Sequence, residues 1–172
     1  MDVDAWLAER EAAKRERERI EKLIAEYQLC LPPIAAHWDM TATSLSYNDI
    51  NQEILSKGMK IYSCSNEALW TGLFKPDVYE ANTLWDKSLH EQRKIAGVIE
   101  AWAKKAPLSP LFLVKHGKEH LGLVADGKHR LTVARSINAP IVPFMVQAGS
   151  EYWVSLAFPS AEVVCLIPST EG

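Results

Sequence analysis

The sequence predicts an α/β fold, in the broad sense of an α+β domain, and three observations carry that prediction. First, a short apolar run at Leu121, Leu123, Val124 and Ala125 ends in the polar turn Asp126-Gly127-Lys128-His129-Arg130. Helical spacing follows at once at Leu131, Ala134 and Ile137, and residues 141–146 read as a further strand. Second, strand-like runs recur at residues 59–63, 111–114, 152–157 and 163–167. Third, two long helical patterns flank them, at residues 2–28 and 89–105.

Length and composition set the frame. A chain of 172 residues with 48% hydrophobic and 24% charged residues suits one globular domain with a sizeable core. A net charge of −3 argues against a strongly basic grip on nucleic acid, and leaves a local basic patch open. No apolar run is long enough to span a membrane, and the first residues are charged, so a cytoplasmic setting without membrane contact is expected. Cys30, Cys64 and Cys165 are far apart and form no CxxC pair, which supports neither a disulfide framework nor a zinc site.

Residues 2–28 are expected to form a charged helix, separate from a single domain over residues 29–172. Asp2 or Asp4 can cap it, and no Gly or Pro interrupts it before Pro32-Pro33. Trp6, Ala13, Ile20 and Tyr27 recur every seven residues, with Leu23 and Ile24 beside them. Glu9, Arg10, Glu16 and Arg17 make this a poor apolar heptad seam, which favours a solvated helix lying on the domain by one edge over a partner-binding arm. A short helix is expected near residues 47–56, ended by Gly58, with a strand at 59–63. The aromatic-rich stretch 66–88, broken at Pro76, reads as irregular structure on a core edge. In the helix at 89–105, Ile95, Ile99 and Trp102 share a face, and Pro107 stops it. Trp85 and Trp102 are expected in the core.

The turn at 126–130 is the candidate site. A strand–turn–helix junction points backbone N–H groups outward at the positive end of the helix dipole, where an anion is favoured. His129 and Arg130 are the candidate phosphate-binding side chains: Arg offers a planar donor fork, and His at the helix start a further donor. The alternative for Arg130 is a pair with a carboxylate at the core edge. Gly127 permits a strained turn and a close approach to phosphate, and Lys128 either adds charge or points to water. Asp126 is a candidate magnesium ligand, because Mg²⁺ commonly takes one or two carboxylates plus substrate phosphates; the alternative is a cap. Glu100 and Glu119 are the candidates for a second carboxylate, and Ser109 a further phosphate contact. His116 and His120 have metal-like spacing, but Gly117 between them argues for a hairpin turn in which the rings need not converge.

The order helix, strand, hairpin, strand, Asp126-Gly127-Lys128-His129-Arg130, helix, strand resembles the ParB/sulfiredoxin superfamily over about residues 84–147, with Ala134 and Arg135 in the following helix and the upstream PLSPLFLV stretch sharing the pattern. The resemblance implies a small mixed sheet with flanking helices and a nucleotide, ATP, held at the turn by His129 and Arg130 with Mg²⁺. Where sulfiredoxin-like members carry a nucleophilic Cys this chain has Lys128, so thiolate chemistry is not expected. Only about 25 residues follow Val146, too few for the helix-turn-helix domain of chromosome-partitioning members. The architecture is similar to stand-alone plasmid fertility-inhibition factors, which implies an ATPase, with DNA as a second phosphate substrate, that interferes with a conjugation or type IV secretion component. In that reading Asp126, His129 and Arg130 are catalytic, and Gly127, Lys128, His129, Arg130 and Ser109 bind the nucleotide. The alternatives are a small-molecule (amino-acid) kinase, with Asp126 as base, and a protein-interaction inhibitor without catalysis.

Overall fold

A computed structural model describes residues 3–41, 52–74 and 83–170. Its elements run α1 (Val3–Leu29), α2 (Gln52–Ser56), β1 (Met59–Ser63), α3 (Asn66–Gly72), α4 (Leu89–Ala103), β2 (Leu111–Lys115), β3 (Gly122–Asp126), α5 (Lys128–Ser136), β4 (Phe144–Gln147), α6 (Val154–Ala157) and β5 (Glu162–Ile167). The five strands form one mixed sheet in the order β3-β2-β4-β1-β5. β2 and β4 are parallel, and the other pairings are antiparallel. The expected α+β class is therefore the class found.

Alternation along the strands splits the core into two layers. Leu111, Leu113, Phe144 and Val146 face a larger cluster with Ile95, Ile99 and Trp102 of α4 and Leu131 and Ala134 of α5. Phe112, Met145, Met59, Ile61 and Ile167 form a smaller layer, against which Met40, Ile54 and Leu55 pack. Trp102 is in the core as expected, with its Nε1 donating to the His37 carbonyl at 2.9 Å, and Trp85 packs partly buried against it. These two layers fix β2 and β3, and with them the turn at which α5 begins.

α1 extends the expected helix by a residue at its C-terminal end. It lies along α4 by its second half: Ile24 is buried and Tyr27 packs on the core, while residues 3–19 are exposed. Arg19 binds the Glu100 carboxylate with 2.6 and 2.9 Å contacts, and Arg93 pairs with Glu21. Among the described residues, no helix is long and apolar enough to cross a membrane.

Three expectations are corrected. The stretch read as irregular contains α3, because Ser65 caps it, its hydroxyl accepting from the Ala68 N–H, and Leu69 is fully buried. Residues 152–157 form no strand: a turn leads into α6, and Trp153, Val154, Ala157 and Phe158 are buried at helical spacing. The strand expected at 141–146 begins at Phe144, since Ile141 makes only an isolated bridge to Ser65 and Pro143 precedes the ladder. Of the helix expected near 47–56, Gln52–Ser56 is found, and the rest lies outside the described residues.

Candidate functional site

Gly127 is the hinge of the site. It ends β3 and opens α5 with φ 99° and ψ 14°, a left-handed conformation that favours glycine. A Cβ there would lie 2.8 Å from Leu111 Cδ2 and 2.9 Å from Arg130 Nη2, so side-chain space and backbone angle both select for its absence. As N-cap it brings no side-chain acceptor, unlike Ser65 or Ser88 at the heads of α3 and α4. The first turn of α5 is then Lys128, His129 and Arg130, three nitrogen-bearing side chains at the positive end of a helix. The Leu131 N–H closes the first helical turn onto the Gly127 carbonyl at 2.9 Å, and buried Thr132 donates to the Lys128 carbonyl at 2.8 Å.

Two carboxylates meet these side chains. Arg130 Nη2 donates to Asp126 Oδ2 at 2.6 Å, a pair between the last residue of β3 and the first turn of α5. The carboxylate-pairing alternative for Arg130 is thus realised, within the motif itself. Arg130 Nε is buried without a hydrogen-bond partner among the described residues. The second carboxylate is Glu91, in the first turn of α4, whose Oε2 lies 2.7 Å from His129 Nε2 and 3.4 Å from Lys128 Nζ. The His129 and Glu91 side chains are 15% and 19% exposed, which shields the contact from water. Burial pushes the His129 imidazole below its ordinary 6.5, the Glu91 bond and charge pull it back up, and Lys94 and Lys128 push it down again. The neutral ring then donates one N–H to Glu91.

Glu91 is the residue that sequence reasoning missed. Glu100, one of the two carboxylates considered, sits nine residues further along the same helix, which is about 180° around its axis. It faces α1, bound by Arg19 and by Lys104 at 2.6 Å, and these cations hold its carboxyl down at about 2. Glu119 lies exposed in the β2–β3 turn. The available signal for Glu91 was position: it follows Ser88 by three residues, in the first turn of the helix that a βα unit packs beside its motif helix.

Ser109 is buried just ahead of β2. Arg135 lies over the Trp70 ring at 3.9 Å and donates to Asn66 Oδ1 at 3.0 Å, which ties α5 to α3. The His116 ring stacks on Phe74 at 3.6 Å, and His120 is exposed in the turn. No group of three or more metal-ligating side chains occurs among the described residues.

Chemically, the junction is a cationic helix start whose charges are balanced by two carboxylates on rigid elements. No protein-family model, curated protein or solved structure matches this chain.

Proposed function

We propose that the first turn of α5 binds the phosphates of a nucleotide, and that the protein is an ATP hydrolase of the ParB/sulfiredoxin kind, acting also on DNA phosphodiesters in interference with plasmid DNA transfer. One observation carries the phosphate part: Lys128, His129 and Arg130 crowd a helix N-terminus whose cap, Gly127, supplies no acceptor. The resemblance of the Asp126–Arg130 motif supplies the nucleotide and the reaction.

In this reading Arg130 and Lys128 bind phosphate oxygens, and His129, held by Glu91, donates to another or orients the attacking water. Asp126 positions Arg130. As a single carboxylate at the motif it fits a Mg²⁺ carried in by the nucleotide, which needs one or two protein carboxylates, better than a resident metal cage. The ion would supply charge neutralisation at the phosphates.

The test is calorimetric titration of Mg²⁺–ATP into the wild type and into His129→Ala/Arg130→Ala. Binding to the wild type that vanishes in the double variant supports the reading; undiminished binding in the variant overturns it.

A second reading rests on α1. Its first half stands exposed with Val3 63%, Trp6 47% and Leu7 46% accessible, the pattern of an arm that meets a partner such as a conjugation or type IV secretion component. Removing residues 1–17, which leaves Ile24 and Tyr27 in place, abolishes inhibition of DNA transfer and spares nucleotide binding if this arm is the effector; retained inhibition refutes it.

A further inference from the structure

The side chains assigned to phosphate already hold an anion. Glu91 Oε2 contacts both His129 Nε2 and Lys128 Nζ, at 2.7 and 3.4 Å. It reaches them from a different element: α4 is anchored by fully buried Ile95, Ile99 and Trp102, and its N-cap Ser88 accepts from the Glu91 backbone N–H at 3.4 Å. The backbone of Glu91 is therefore fixed, and its carboxylate can leave His129 and Lys128 only by a rotamer change. The other acid, Asp126, occupies Arg130 in the same way.

Resting on the reading of this junction as a phosphate site, we propose that Glu91 is its specificity-determining residue: an internal carboxylate that an incoming phosphate must displace, so that the site takes polyphosphates such as ATP and rejects small anions such as inorganic phosphate. A small anion replaces one negative charge by one or two and gains little. It then sits beside the expelled carboxylate, still tethered within a few ångströms, and is repelled by it. A triphosphate spreads its charge over Lys128, His129 and Arg130 together and outbids Glu91. The arrangement discriminates by charge number, through a repulsive element built into the site.

Glu91→Gln keeps the size and a hydrogen bond to His129 and removes the charge. Calorimetry on the full chain, with inorganic phosphate and Mg²⁺–ATP as separate probes, is expected to show phosphate binding roughly tenfold or more tighter in Glu91→Gln than in the wild type. ATP gains less, so the ATP-to-phosphate affinity ratio narrows. A merely structural role for Glu91 loosens both ligands instead, and unchanged or weakened phosphate binding in a variant with native circular dichroism overturns the proposal. Glu91→Ala serves as the second variant if the glutamine form does not fold. If ATP binds the wild type and is lost in His129→Ala/Arg130→Ala while Glu91→Gln does not tighten phosphate, the specificity role alone fails. If no form binds either probe, the phosphate reading fails and this inference with it.

Discussion

Replacing Gly127 by alanine tests the link between backbone and site most sharply. At φ 99° an L-residue stands beyond the left-handed minimum near +57°, and the left-handed region itself costs about 1–2 kcal/mol. The new Cβ also meets Leu111 Cδ2 at 2.8 Å and Arg130 Nη2 at 2.9 Å. Leu111 is fully buried and can move only by disturbing the core, an overpacking cost of about 1–3 kcal/mol. Arg130 must swing, and its pair with Asp126 weakens. Together the expected loss is about 2–5 kcal/mol, or a fall in melting temperature of roughly 6–15 °C for a chain of this size. Gly149 provides the control: its φ is 82°, and a Cβ there meets nothing within 4 Å, so Gly149→Ala carries the backbone cost alone. Urea unfolding of both variants measures the difference. Gly127→Ala losing no more stability than Gly149→Ala refutes the steric reasoning, and a loss below about 0.5 kcal/mol refutes the backbone reasoning too.

Gly72→Ala places a Cβ 2.3 Å from the Phe158 ring and 2.4 Å from the Ala157 carbonyl, so α3 and the α6 turn must part; urea unfolding should show a loss of about 3 kcal/mol, and a neutral result contradicts the packing described. Glu100, held at about 2 by Arg19 and Lys104 against an ordinary 4.5, has a folded value below its unfolded one. Its stabilisation is therefore complete above about pH 4.5 and is lost as the pH falls through about 2, and Glu100→Gln should flatten stability against pH across that window and leave neutral pH behaviour in the same form. The His129 imidazole should titrate below 6.5 by NMR, and lower still in Glu91→Gln, because burial depresses it and Glu91 opposes that; a midpoint above 6.5 shows that the carboxylate outweighs burial.

The part of this molecule that was legible in the sequence is the part specified locally. The strand, glycine turn and helix at 122–136 announce themselves within fifteen residues, because period, turn residue and helix start are all short-range signals. Gly127, Arg130 and Asp126 follow from the same stretch, and the Asp126–Arg130 pair spans only four positions. Glu91 lies 38 residues from His129, and only the docking of α4 on α5 joins them. Amphipathicity gave α4 its buried face through Ile95, Ile99 and Trp102, yet it does not say which flank of the helix meets α5, so Glu100 stood as a candidate and Glu91 did not. α6 was misread because Tyr152, Trp153 and Val154 have strand propensity; burial of Trp153 and Phe158 under the helix layer overrides it. α3 was hidden because it is only seven residues long, with one aromatic, Trp70, and because its capping serine lay among other polar residues.

The most direct test of the central claim is a two-dimensional amide NMR titration of the full chain with Mg²⁺–ATP. Binding at the head of α5 predicts saturable shifts concentrated at Gly127, Lys128, His129, Arg130 and Leu131, with Glu91 responding as its carboxylate is displaced. Saturable shifts confined to other elements, or none at all at millimolar nucleotide, contradict it.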